Sequence, residues 1–125
     1  MPQVPGPQIQ VFTHPKSQVS RKAERFLSER GVRYHAVDVR RKPPSPGELR
    51  KWVQRFGVDA VVDRTSKTYE DKGLRYLSAP PEEWIRRLAD DPSLIALPLI
   101  ACGGELAVGD DPEAWARIVA TAKAS

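Results

Sequence analysis

Between Gln8 and Thr13 the chain reads Gln-Ile-Gln-Val-Phe-Thr, placing β-branched and aromatic residues at Ile9, Val11 and Phe12. That composition predicts a strand, which His14-Pro15 interrupts. From Ser17 the spacing changes: Val19, Ala23, Phe26 and Leu27 recur at three- and four-residue steps, with Arg21, Lys22, Glu24 and Arg25 between them. This is the period of an amphipathic helix, with Ser17 placed to cap its start and Gly31 to end it. Val32–Val39 alternates apolar and charged residues up to Asp38 and predicts a second strand. A strand, a helix and a strand in succession imply parallel pairing through a right-handed crossover.

A proline-rich stretch follows, then a helix start near Ser45-Pro46 and an apolar stripe of Leu49, Trp52, Val53 and Phe56 closed by Gly57. Helical character continues raggedly through 59–73 and resumes over Pro80–Asp90 with Trp84, Ile85 and Leu88. The apolar run from Leu97 to Cys102, the pair Gly103-Gly104 and the segment Glu105–Val108 predict a β-hairpin. Asp111-Pro112-Glu113 opens a last helix whose stripe is Trp115, Ile118 and Val119. The order predicts an α/β chain of thioredoxin-like fold: a four-stranded mixed sheet built from a β-α-β unit, a helical insertion over about 45–92, and a β-β-α unit. Residues 1–7, with three prolines and a glycine, read as a loose leader to a single domain over 8–125.

The chain's 125 residues, 40% hydrophobic and 29% charged, suit one globular domain. No apolar run approaches the ~20 residues that cross a bilayer, and the start lacks a basic-then-apolar leader, so the expected location is the cytoplasm with no membrane partner. A single cysteine, Cys102, cannot form an internal disulfide, and with two histidines it hardly furnishes a zinc site; no metal and no cofactor are expected. Net charge is +4, but residues 1–60 hold twelve Lys/Arg against five Asp/Glu, while 61–125 hold eight against eleven. The first half should meet anions first. Its cluster of Arg40, Arg41, Lys42, Arg50, Lys51 and Arg55 lacks interleaved aromatics and any helix-turn-helix or zinc motif, which argues against direct nucleic-acid binding.

The segment Val11-Phe12-Thr13-His14-Pro15-Lys16-Ser17-Gln18-Val19-Ser20-Arg21-Lys22-Ala23 resembles the active-site strand and helix of the arsenate reductase (ArsC/Spx) family, whose pattern is a strand, a short loop, Cys-x-x-Cys or Cys-x-x-x, then Arg-Lys-Ala. Arg64-Thr65-Ser66-Lys67, Pro80-Pro81-Glu82-Glu83-Trp84 and the run from Asp91 to Ile100 resemble later family motifs in the same order, so the resemblance spans about residues 8–120. It implies that Ser17 stands where the family keeps its nucleophilic cysteine and Ser20 where some members keep a second. It also implies a cis peptide before Pro98 and, in oxyanion-handling members, an arginine before that proline, where this chain has Leu97; after the hairpin Gly109 is followed by Asp110-Asp111 and no arginine, so Arg64 alone is retained.

Thiol-based arsenate reduction requires a sulfur that ionises near neutral pH and later leaves through a disulfide, a route closed to a serine hydroxyl. Cys102, at the end of a predicted strand, reads as a small buried hydrophobe. Ser17 with His14 as base is a rival nucleophile reading, but no third group or oxyanion hole is recognisable, and a helix cap beside a loop histidine is favoured. His35 reads as an ordinary strand residue. Weak oxyanion binding by Lys16, Ser17, Gln18, Val19 and Ser20 at the helix start, with Arg64, is expected to survive, in the millimolar range by order of magnitude. Three functions stay open: an ArsC-like chain without thiol redox activity that binds an anion or a protein, an oxyanion reductase using an external thiol such as glutathione, and an Spx-like regulator that binds RNA polymerase. A monomer is expected.

Overall fold

Ile9 and Val11 point to one side of their strand and Phe12 to the other, and all three are buried, so the first strand must be covered on both faces. The computed structural model describes residues 8–124. It places β1 (Ile9–Thr13) inside a four-stranded sheet of order β2-β1-β3-β4, with β2 at Tyr34–Asp38, β3 at Leu99–Cys102 and β4 at Glu105–Val108. β1 runs parallel to β2, with Ile9 opposite Tyr34 and Thr13 opposite Asp38, and antiparallel to β3, with Phe12 opposite Leu99. β3 and β4 form the antiparallel hairpin expected around Gly103-Gly104. This is the thioredoxin-like arrangement. The expectation of a loose segment at 1–7 lies outside the described residues.

The helices are α1 (Gln18–Glu29), α2 (Pro46–Phe56), α3 (Val58–Val61), α4 (Lys67–Asp71), α5 (Pro81–Asp90) and α6 (Pro112–Lys123), with short 3-10 turns at Leu74–Tyr76 and Pro92–Leu94. Ala23 and Leu27 of α1 join Trp115 and Ile118 of α6 against one face of the sheet, where Ile9, Val11, Ile100 and Cys102 point. Trp52 of α2 and Ile85 and Leu88 of α5 cover the other face with Phe12, Val37 and Leu99. Ser45 caps α2 in a reciprocal capping box with Glu48. Gly57 follows at φ +88°, a left-handed value that a side chain would strain, which lets the chain turn at once into α3.

The second strand is shorter than Val32–Val39. Its start is lost because the Gly31 and Val32 amides donate to the Ser28 and Leu27 carbonyls, the turn that closes α1. After Asp38 the chain turns away, with the Arg41 and Lys42 amides both donating to the Asp38 carbonyl. Between β2 and β3 the ragged helical stretch is tied down by an isolated antiparallel bridge between Val62 and Ile95. The Asp63 amide donates to the Leu94 carbonyl at 2.7 Å and the Ala96 amide to the Val61 carbonyl at 2.8 Å. These bonds carry the 63–65 and 93–97 segments to the end of the sheet where β1 gives way to α1.

Candidate functional site

The His14–Ser17 loop folds on itself before α1 begins. The Ser17 amide donates to the His14 carbonyl at 2.9 Å, and the Lys16 amide donates to His14 Nδ1 at 3.0 Å. Ser17 is extended, with φ −81° and ψ 114°, and its Oγ accepts the Ser20 amide at 3.1 Å. It is therefore the N-cap of α1, as its position before the apolar period predicts. The imidazole braces the loop through Nδ1, and among the described residues it makes no side-chain hydrogen bond to Ser17 Oγ.

A cleft of about 460 Å³ opens at this point, lined by His14, Ser17, Val19, Asp63, Leu97 and Asp110 among others. Leu97 precedes a cis peptide bond to Pro98 at the entry to β3, and the Gly109 amide donates to the Pro98 carbonyl at 3.0 Å, which sets the 109–110 turn beside it. Asp63 is held by its own turn: its Oδ1 accepts the Thr65 amide at 2.9 Å and the Thr65 hydroxyl at 2.6 Å. Asp110 lies in an ion pair with Lys22 of α1, with Nζ to Oδ1 at 3.0 Å. Ser93 adds a hydroxyl to the wall and shares a hydrogen bond with Thr68. The lining thus offers two carboxylates, hydroxyls and an apolar wall, and among the residues that line it there is no lysine or arginine.

The residues named from sequence do not all converge. Ser17 and Val19 line the cleft, and Gln18 and Lys16 are exposed at its approach. Ser20 turns inward with α1's buried face; its Oγ has no hydrogen-bond partner among the described residues. Arg64 is exposed and faces the other way, with its guanidinium 2.6 Å from Asp59, beside a small separate hollow that includes Tyr69 and Trp84. His35 sits exposed on β2. Cys102 is 1% exposed within the α1–α6 side of the core, and burial pushes its thiol above the usual cysteine range.

Asp63 was not singled out from the sequence, and Thr65 and Ser93 entered only within the family motifs, without a role. A local signal exists: Asp63-Arg64-Thr65 and Asp91-Pro92-Ser93 each have an Asp whose side chain binds the residue two positions on. What brings these turns to Ser17 is the Val62–Ile95 bridge, a long-range pairing that local patterns do not show.

The fold and the cleft describe a thioredoxin-like chain of the arsenate reductase type, and comparison with known proteins agrees. The sequence model of the ArsC family matches residues 12–118, and the chain belongs to that family. An arsenate reductase of Neisseria meningitidis serogroup A is 28% identical over 106 residues, covering 82% of this chain and 91% of the relative. The global transcriptional regulator Spx of Staphylococcus aureus is 25% identical over 103 residues, covering 81% of this chain and 79% of Spx. The arsenate reductase of Vibrio cholerae superposes with a TM-score of 0.79 at 23% identity, covering 90% of this chain and 98% of that one. An ArsC family related protein of Bacteroides fragilis gives a TM-score of 0.83 at 23% identity, over 89% and 97% of the two chains. These structural likenesses establish the shared fold. No helix among the described residues is long and apolar enough to cross a membrane.

Proposed function

We propose that this chain is a binding member of the ArsC family without thiol redox chemistry, and that its cleft receives a neutral or apolar group of a protein partner. One observation carries the reading: the residue that opens α1 in the cleft is a serine, Ser17, and the sole thiol, Cys102, is buried on β3 with its ionisation suppressed. By the family resemblance Ser17 stands at the nucleophile position and Ser20 at that of the second cysteine. The lining supports a partner group over a free oxyanion, because the Asp63 carboxylate repels anions, Asp110 already holds Lys22, and Leu97 supplies an apolar wall. Similarity to a transcriptional regulator is consistent with a protein partner; RNA polymerase is the partner that the Spx resemblance suggests.

A second reading, weak oxyanion binding at the start of α1, keeps one support: the Gln18 and Val19 amides at the positive end of the helix are unpaired among the described residues. Reduction of an oxyanion with an external thiol such as glutathione is the enzymatic alternative.

Arsenate turnover with glutathione or with thioredoxin tests the enzymatic alternative. No rate above the blank is expected, and reduction that survives Cys102→Ala would overturn the thiol-free reading. Ser17→Cys should create a thiol more acidic than free cysteine, stabilised by the α1 dipole. Phosphate titrated against the backbone amides separates the two binding readings. Shifts at Ser17–Ser20 that saturate in the millimolar range would favour the anion over the partner, and they should persist in Arg64→Ala, whose guanidinium lies outside the cleft.

A further inference from the structure

At the other side of β1, β2 forms an edge of the sheet, with β1 its one neighbour among the described residues. The Val39 amide donates to the Thr13 carbonyl at 3.0 Å, so strand alternation turns the backbone groups of Val37 and His35 toward β1 and those of Ala36 away from it. Beyond Ala36 the outward Asp38 carbonyl is taken by the Arg41 and Lys42 amides. The outward amide and carbonyl of Ala36 have no partner among the described residues, and both Ala36 and His35 are exposed. An edge of this kind is blunted by a bulge, a proline, an inward charge, or charged side chains that repel a like-charged strand. β2 has no bulge and no proline, its five residues pair with β1 in unbroken register, and among the described residues the only unpaired edge charges are cations at its ends, which exclude a basic strand and admit an acidic one.

The charges around that edge are one-sided. Arg33 precedes β2, and Arg41 and Lys42 follow it; all three are exposed and in no ion pair among the described residues. Asp38, the sole acid of the strand, is neutralised by the Arg40 guanidinium, which grips both of its oxygens at 2.8 to 3.2 Å. Cations therefore stand at each end of an unpaired ladder whose middle is uncharged. A basic strand, including the β2 of a second copy of this chain, is repelled; an acidic one is attracted.

We propose that the β2 edge is a docking site for an extended acidic segment of a partner protein, which adds as a fifth strand across Ala36 with its carboxylates against Arg33, Arg41 and Lys42. Main-chain bonds supply the pairing and the flanking cations select for acid. This surface is separate from the cleft at Ser17, so it stands or falls independently of what that cleft binds.

The test uses the full chain and two synthetic peptides of alternating sequence, one of glutamate and valine and one of lysine and valine, followed by backbone amide shifts and hydrogen exchange. The acidic peptide should shift the Ala36 and Asp38 amides and slow their exchange, and should leave Ser17–Ser20 unmoved. The joint substitution Arg33→Glu, Arg41→Glu, Lys42→Glu should weaken it at least tenfold. Ala36→Pro removes the outward amide without touching a bond to β1 and should abolish it; if that variant does not fold, slowed exchange at Ala36 in the native chain carries the same information. Equal binding of the lysine peptide, an unaffected charge-reversed variant, or binding that leaves the Ala36 and Asp38 amides unchanged would each overturn the proposal.

Discussion

The indole N–H of Trp52 donates to the main-chain carbonyl of Ala107 at 3.0 Å, a buried hydrogen bond between α2 and β4. Trp52 is 1% exposed and meets Phe12 edge to face, with ring centroids 6.0 Å apart. One side chain thus fastens the helical stretch to both halves of the sheet. Trp52→Phe keeps a ring and removes the donor, and should lower unfolding stability by about 1–3 kcal/mol from the lost bond and the smaller side chain. Trp52→Ala should cost about 3–5 kcal/mol. Urea unfolding of both variants checks the order; equal stability of Trp52→Phe and wild type would show that the bond contributes nothing.

Asp38 supplies a pH signature. The Arg40 side chain, then the Arg40 amide, hold its carboxyl down from the ordinary 3.8 to about 2. A folded-state value below the unfolded one means that the pair stabilises the fold fully above the unfolded value and loses that contribution as pH falls from about 4 toward 2. Carboxyl chemical shifts across an acid titration should place the Asp38 midpoint at about 2, and Arg40→Ala should return it toward the ordinary range. An unchanged midpoint in that variant would discard Arg40 as the cause.

The capping box of α2 is a third measurable contact. Ser45 Oγ accepts the Glu48 amide at 3.1 Å, and Glu48 Oε1 accepts the Ser45 amide at 3.1 Å. Ser45→Ala should cost about 1 kcal/mol and Glu48→Ala less, because the first removes the acceptor for an unpaired helix amide. Thermal unfolding of the single and double variants should show the two losses to be less than additive.

Cys102 should resist thiol reagents while the chain is folded. Burial within the α1–α6 side of the core both excludes the reagent and disfavours the thiolate. Modification by an aromatic disulfide should be slow in native buffer, on the order of a hundredfold below the rate in denaturant. Fast labelling of the native chain would contradict the placement of Cys102.

Much of this architecture is written in short-range patterns. The Ser17 cap, the α2 stripe of Leu49, Trp52 and Val53, the hairpin around Gly103 and the Asp111 cap all coincide with observed elements, because each depends on residues within about one or two turns of one another. The start of β2 did not, since the amides of Gly31 and Val32 are drawn back into the end of α1. The site was legible in part. Ser17 and Leu97 fall in one cleft as the family motifs suggest, whereas Arg64 engages Asp59 and the opposite wall is supplied by Asp63. Which side of a turn faces Ser17 is decided by the Val62–Ile95 bridge, and no local periodicity encodes a pairing across that separation.

The pairing of Phe12 with Leu99 also sets an order of events at the ribosome. β1 meets β2 after one helix, but its antiparallel partner is about ninety residues further along the chain. A nascent chain that has released β1, α1 and β2 therefore carries a central strand with one side unclaimed and Ile9, Val11 and Phe12 not yet covered by α2, α5 or α6. At ordinary elongation rates of about 5–20 residues per second that interval lasts several seconds. Synonymous codon changes that slow translation between Asp38 and Leu99 should lengthen that exposure and lower soluble yield without altering a single residue of the finished protein.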